Sequence, residues 1–276
     1  MKIISWNILH GQPIPPANTP LSAEESHQIL ETVSSQLATI GVEVVGLQEV
    51  DAAQPRSCGV AQVAVIAQAL GAEHWAYAPT IIGTPGEEWR SLTHGDQAIR
   101  TASDSEEEAS YGIGLISKIP VRSWHRKELG RSRVGLPLAI PSESDSKRSI
   151  RFIYVRDEPR VALAAELENG FTVVVTHLSF VPFVNYFQLV RIRRWLKGIP
   201  GIALIIGDLN LGWGLPVRGT HWRSLLTSKS YPSWDPKIQF DYITSDIRNF
   251  GERNIRPLEI PDLGISDHLP IGVDFD

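Results

Sequence analysis

The 276-residue sequence contains a single cysteine, Cys58. One thiol excludes an internal disulfide framework and any thiolate metal cluster, since both need more than one sulfur. An intracellular location, the cytoplasm, is the expectation that fits this best. Long apolar runs are missing as well. No stretch approaches the roughly 20 residues that a membrane-spanning helix needs. The opening "MKIISWNILHG" does not read as a secretion signal: its apolar stretch is short, it carries Trp6 and Asn7, and no small-residue cleavage site follows. Basic charge is not in excess. Lys and Arg number 26 against 31 Asp and Glu, a net charge of -5. Proteins that bind duplex nucleic acid through many phosphates usually present a basic face. Nucleic acid is therefore a possible partner but not a favoured one. Internal repeats and domain linkers are also lacking, so one domain over residues 1–276 is expected.

What is present reads as alternating strands and helices. Residues 2–6 form a short apolar strand. Residues 22–40 carry Ile29, Val33, Leu37 and Ile40 at helical spacing. Ser22 with Glu25 makes a capping box, and Gly41 supplies the stop. "VEVVGLQ" is a buried strand ending at Gln48 and Glu49, and "VAQVAVIAQALG" a second helix. Residues 83–110 are polar and end in "DSEEEAS", which predicts a long mobile loop. "GIGLIS" and "VRSWHRK" flank Lys118–Pro120 as a hairpin. "RVALAAEL" and "FTVVVTHL" are joined by "ENG". Residues 184–199 form an amphipathic helix. "IALIIGD", "FDYITS" and "IGVDF" complete the strands. This mixture predicts an α/β domain of stacked layers.

Polar groups recur where the apolar strands stop. Asn7 follows "IISW", Glu49 follows "VVGLQ", His177 follows "TVVVT", and Asp208 and Asn210 follow "ALIIG". Asp241 opens "FDYITS", and Asp267 and His268 precede "LPIGV". Ligands of α/β sheets bind at such ends. Glu49 and Asp267, helped by the Asn7 carbonyl, are hard oxygen donors suited to Mg²⁺ or Mn²⁺. Asp208 suits proton abstraction from water. His177, His268 and Asn210 suit charge stabilisation on a phosphate. Together these groups suit in-line attack of water on phosphorus.

In order and over the whole chain, "SWNILHG", "LQEVD", "THLSF", "GDLNLG" and "SDHLP" resemble the endonuclease/exonuclease/phosphatase superfamily. That superfamily includes exonuclease III-like abasic endonucleases, deoxyribonuclease I, neutral sphingomyelinases and inositol-polyphosphate phosphatases. The resemblance implies a four-layer α/β sandwich, two packed mixed β-sheets flanked by helices. By the same resemblance Glu49 is the metal-binding glutamate with Asn7 beside it, and Asp267 the second carboxylate near the metal. Asp208 is the water-orienting base and Asn210 its partner on the phosphate. His268 meets the phosphate, and Asp241 orients His268. Arg160, in "DEPRVALAAEL", stands where relatives often place a phosphate-contacting arginine. Gly207 is expected to permit the tight turn that aims Asp208 and Asn210. Two departures from the abasic-endonuclease pattern are Leu9, where those enzymes carry aspartate, and His177, where they carry tyrosine.

Simpler readings stand beside these. Asp208 alone would be a turn aspartate. His10 and Gly11 suit a structural turn and a substrate-facing loop equally. Trp89 suits a lid or packing, and "RIRRWLK" a solvated face or a phosphate-tracking surface. "SFVPFVNYF" suits an apolar pocket or packing under the next helix. The resulting expectation is a Mg²⁺- or Mn²⁺-dependent hydrolase of phosphate esters, a phosphodiesterase. A DNA or RNA nuclease is the alternative, and a non-catalytic binding scaffold a more distant one. Substrate choice is expected in residues 12–21, 83–110, 141–149 and 179–186.

Overall fold

The computed structural model describes every residue except 17–19, 97, 105–107 and 142–149. The strands are, in order, β1 (Lys2–Asn7), β2 (Val44–Ala52), β3 (His74–Gly83), β4 (Trp89–Ser91), β5 (Ser110–Ser117), β6 (Val121–Gly130), β7 (Leu136–Pro141) and β8 (Ile150–Val155). They continue as β9 (Arg160–Leu167), β10 (Phe171–His177), β11 (Ile202–Asp208), β12 (Trp222–Ser224), β13 (Asp241–Asp246), β14 (Ile255–Pro257) and β15 (Ile271–Phe275). The α-helices are α1 (Ala23–Ile40), α2 (Gln62–Leu70), α3 (Val184–Trp195) and α4 (Ile247–Phe250).

A seven-stranded sheet has the order β14-β15-β1-β2-β5-β3-β4, and a six-stranded sheet the order β12-β13-β11-β10-β9-β6. Both are mixed: β1 runs parallel to β2 and β10 parallel to β11, between antiparallel neighbours. The two sheets face each other across a core that includes Ile3, Val44, Leu163, Val173, Ile206 and Val273. On the outer face of the larger sheet, Leu30, Val33 and Leu37 of α1 and Val63 and Ile66 of α2 cover Ile4, Val45 and Leu47. On the outer face of the smaller sheet, Leu189 and Ile192 of α3 cover Val174 and Ile205. Helix, sheet, sheet and helix give the expected four layers. Burial on both faces explains why these strands read as unbroken apolar runs.

The helix signals hold. Ser22 accepts from Glu25 N–H while the Glu25 carboxylate accepts from Ser22 N–H, and Gly41 closes α1 in the left-handed region at φ 73. Two expectations need correction, and one strand went unread. "GIGLIS" and "VRSWHRK" are not a hairpin, because β5 lies in the larger sheet and β6 in the smaller one. Lys118–Pro120 is a crossover between stacked sheets, which a short connection spans as readily as a turn. The described residues of 83–110 are not a structureless loop. Trp89–Ser91 pair with Ile81–Gly83, and Tyr77 and Arg100 exchange backbone hydrogen bonds at 2.8 Å in each direction. Arg90 bridges Asp96 and Glu108. Within the "DSEEEAS" run, residues 105–107 lie outside the described residues, as do 142–149 of the 141–149 loop. Finally, β3 carries no alternation and contains Pro79, which hid it. The proline sits at a register shift in its pairing with β5, where a missing N–H is tolerated.

Candidate active site

Register in the smaller sheet builds one wall of the site. His177 is paired with Asp208 across the parallel β10–β11 ladder, and Asp208 with Asp241 across the antiparallel β11–β13 ladder. Three chemically active side chains thus stand in one row at a sheet end. Gly207 serves this row differently from the expected turn. Strand β11 continues through Asp208, and a Cβ on Gly207 would lie 1.9 Å from the Thr176 carbonyl oxygen. The glycine is there so that β10 and β11 can approach. The turn itself falls at Asn210, in the left-handed region at φ 49.

The larger sheet supplies the opposite wall by irregularity. Strand β2 does not stop at Glu49 but runs to Ala52, with a register shift between Leu47 and Val50. Glu49 sits in that bulge at φ 56. Bulges of this kind re-aim a side chain next to a site. Leu9 (φ 43), His10 (φ 45) and Ser266 (φ 70) share the left-handed conformation on neighbouring segments.

The two walls meet at Asp208. Its Oδ2 lies 3.3 Å from Asn7 Nδ2, 3.5 Å from His177 Nε2 and 3.7 Å from His268 Nε2. Its Oδ1 accepts the Asn210 backbone N–H at 2.9 Å. Asn7 Nδ2 also donates to Glu49 Oε1 at 2.9 Å. The Asn7 side-chain oxygen accepts Leu9 N–H at 3.1 Å, which fixes the orientation of the amide. In this arrangement Asn7 meets the two acids as a hydrogen-bond donor. His268 Nδ1 is 2.7 Å from Asp241 Oδ2, which also accepts Ser230 Oγ at 2.5 Å. The Tyr231 ring packs on the His268 ring at 4.9 Å between centroids. Asp208, Asp241 and His268 also form a buried group with spacing that suits a metal ion. Because Asp241 holds His268 Nδ1, this trio reads better as an orienting network.

Burial sets the charges. It raises the Asp208 carboxyl to about 7, against the pull of His268. It raises Glu49, with Asp267 adding to the effect and Asn7 and His268 opposing it. It raises Asp267 too. The same burial disfavours charge on His268, but the Asp241 and Asp208 carboxylates outweigh it and carry the imidazole to about 10. His177 goes the other way: burial, then Arg160 and His268, hold it well below 6.5 and neutral. Two imidazoles on either side of one carboxylate are therefore in opposite charge states.

Arg160 is buried at the edge of the same cluster. Its guanidinium is 3.5 Å from Asp157 Oδ1, and its Nε has no partner among the described residues. Asn210 is half-buried and donates from Nδ2 to the Leu178 carbonyl at 3.0 Å. All nine side chains singled out in the sequence thus belong to one cluster. The sequence reading missed its supports. Ser266 Oγ donates to the Asn7 carbonyl at 2.6 Å, and Asn185 Nδ2 to the Asn210 carbonyl at 2.9 Å. Buried Glu158 faces Arg160, and Asp157 accepts both Ser132 N–H and Ser179 Oγ. Glu158 and Asp157 stand in "DEPR", and the acids beside the noted arginine were the available signal. Trp89 is no free lid, since the Arg131 guanidinium stacks 5.2 Å from its ring centre.

The profile of the Endonuclease/Exonuclease/phosphatase family matches residues 4–268. Comparison with curated proteins gives no match. Similar solved structures include a Bacteroides vulgatus endonuclease/exonuclease/phosphatase, at TM-score 0.62 and 17% identity over 100% of this chain and 98% of that one. A mannosyl-6-phosphatase of Bacteroides thetaiotaomicron is similar at TM-score 0.59 and 11% identity, covering 100% and 99%. Truncated TDP2 of Caenorhabditis elegans is similar at TM-score 0.50 and 13% identity, covering 99% and 96%. Members of the family are hydrolases of phosphoesters and generally depend on a divalent metal. With the profile covering nearly every residue and the four-layer sandwich in place, this chain belongs to the endonuclease/exonuclease/phosphatase family.

Proposed function

We propose that this protein is a Mg²⁺- or Mn²⁺-dependent phosphodiesterase that acts in the cytoplasm by in-line attack of water on phosphorus. One observation carries the reading: a single buried carboxylate, Asp208, faces three nitrogen groups from Asn7, His177 and His268. The separations from the two imidazoles, 3.5 and 3.7 Å, are longer than hydrogen bonds, so both ring nitrogens and Asp208 Oδ2 are left to meet a water or a phosphoryl oxygen beside them.

A divalent cation fits the donor set. Glu49 and Asp267 are half-buried carboxylates, and the charge of Asp267 raises the proton affinity of Glu49, a repulsion that a hard cation relieves. They would hold it, and when bound it supplies positive charge that polarises the phosphoryl oxygen. Asn7 fixes the Glu49 carboxylate. Asp208 takes a proton from the attacking water as the new O–P bond forms. The His268 imidazolium, held by Asp241, donates to the phosphoryl oxygen on which charge develops. Neutral His177 donates from the other side, and Arg160 and Asn210 meet the remaining oxygens. The bond from phosphorus to the leaving oxygen breaks, and that oxygen takes its proton from solvent.

The test is a hydrolysis panel of a water-soluble aryl phosphodiester, an aryl phosphomonoester, abasic duplex DNA and short RNA, with Mg²⁺, Mn²⁺ or EDTA. Expected is diester cleavage that EDTA abolishes and Asp208→Asn loses. Equal activity in EDTA would exclude the metal-dependent reading. Turnover confined to nucleic acids would make the protein a nuclease.

A further inference from the structure

Helix α2 carries one residue that its packing does not explain. Gln62, Val63, Ile66, Ala67 and Leu70 form its buried face, and an apolar side chain is expected at each position of such a face. Gln62 is an amide and is 2% exposed. Burying an amide is costly unless its polar atoms are bonded. Here both ends are. Oε1 accepts the Asp51 N–H at 2.8 Å, and Nε2 donates to the His10 carbonyl at 2.7 Å.

Both backbone partners belong to the wall built by irregularity. Asp51 lies just beyond Glu49, where β2 resumes after its bulge, and His10 just beyond Asn7, where the chain has left β1. The parallel ladder of β1 and β2 pairs Ile3 with Val44 through Asn7 with Gln48, each 41 positions apart. Ile8 N–H still reaches the Gln48 carbonyl at 3.0 Å. Then Leu9 and His10 turn away in the left-handed region. His10 and Asp51 stand at the same sequence spacing as the paired residues. The Gln62 amide therefore lies where the ladder would continue, between two backbones whose pairing has ended. Asp51 is fixed at its side chain as well, where Arg56 donates to both carboxylate oxygens at 2.9 and 2.8 Å. Gly11 leaves the amide room, since a Cβ there would lie 3.3 Å from Gln62 Nε2.

An apolar side chain would fill this space but set no distance. An amide with its acceptor on one backbone and its donor on the other does set one. Asn7 and Glu49, 2.9 Å apart between Nδ2 and Oε1, lie on the segments that it joins. We propose that Gln62 is a positioning residue: by bridging His10 and Asp51 it sets how far the end of β1 stands from the β2 bulge, and so where the Glu49 carboxylate meets a divalent cation. This rests on the reading of Glu49 as a metal ligand given above. Gln62 acts through Glu49 and Asn7 and touches neither metal nor substrate.

The experiment is calorimetric titration with Mn²⁺ of the wild type, Glu49→Gln, Gln62→Met, Gln62→Asn and Ile66→Ala, with a melting temperature for each. Gln62→Met fills the same space without hydrogen bonds. Gln62→Asn keeps the amide but is one methylene too short to reach both backbones. Ile66→Ala opens a cavity one turn further along the same buried face and leaves the bridge in place. All three should melt below the wild type. The two Gln62 variants should weaken Mn²⁺ binding by about 10–100-fold, as loss of a residue behind a metal ligand does, and Ile66→Ala by less than about twofold. Wild-type Mn²⁺ affinity in either folded Gln62 variant overturns the inference. An equal loss in Ile66→Ala also overturns it, making the effect one of general stability. If Glu49→Gln binds Mn²⁺ as the wild type does, the reading of Glu49 falls and the inference falls with it. If Glu49→Gln loses affinity while the Gln62 variants keep it, the positioning alone falls.

Discussion

The two sheets bring their side chains to the site by opposite means. In the smaller sheet, His177, Asp208 and Asp241 stand side by side because regular ladders put them there. In the larger sheet, Glu49 reaches the site from a bulge at φ 56, and the adjoining Leu9, His10 and Ser266 are also in the left-handed region. A ladder is stabilised by its own hydrogen bonds and side-chain pairs. A bulge with an acid in a disfavoured conformation is held by what surrounds it, here Asn7 Nδ2 on Glu49 and Ser266 Oγ on the Asn7 carbonyl. The wall built by register is thus inherently robust, and the wall built by exception depends on its supports.

The comparison is sharpest where the chemistry is concentrated. Asp208→Asn should lower kcat on the aryl diester by about 10²–10⁴, the usual worth of a positioned base, with an unchanged fold by circular dichroism. Near wild-type turnover would remove Asp208 from that role. Breaking the regular wall requires a change in its spacing. Gly207→Ala puts a methyl 1.9 Å from the Thr176 carbonyl, and should cost about 3 kcal/mol or more in thermal or denaturant unfolding. An unchanged melting temperature would mean that the close approach of β10 and β11 does not fix the glycine. On the irregular wall, Glu49→Gln should weaken calorimetric Mn²⁺ binding by at least about 10–100-fold, the loss seen even when a supporting residue of a metal site is removed. Stability should barely fall, because the burial-raised carboxyl is no asset to the fold. Unchanged Mn²⁺ affinity would take Glu49 out of the metal site.

The smallest effect concerns a support of the irregular wall. Burial, with Arg56 nearby, lowers His10 from 6.5 to about 3, and its buried Nδ1 has no partner among the described residues. Between those values the unfolded chain binds a proton that the folded one refuses. Its contribution to stability is therefore complete above pH 6.5 and is lost as pH falls toward about 3. Asparagine tolerates the left-handed backbone, so His10→Asn should flatten this part of the acid dependence in urea titrations. Parallel pH curves for the two proteins would refute the assignment.

The same contrast explains what could be read from the sequence. Polar residues that end regular strands announce themselves, which is why His177, Asp208 and Asp241 were legible, as was the capped helix α1. Glu49 was legible as a residue, but not its bulge, since no local pattern says that β2 resumes after it. The hydrogen-bonding part of Asn7 depends on Leu9 N–H and on acids 42 and 201 positions away, distances over which side-chain periodicity carries no information. The placement of β5 and β6 in separate sheets escaped for a similar reason. Their spacing is that of a hairpin, and only burial distinguishes the two: β5 is buried throughout, while β6 is half-buried or exposed at all but one position.

Strand β1 pairs with β15, Ser266 holds the Asn7 carbonyl, and Trp6 Nε1 donates to the His268 carbonyl at 3.0 Å. The carboxylate at the centre is thus served by residues 7, 177 and 268. During synthesis the ribosome delivers the first of these long before the last, and the loop they close spans more than 250 residues. Contacts of such sequence separation form late. The nascent chain therefore holds Asp208 without the His268 imidazole, and the cluster is complete only when β15 joins β1.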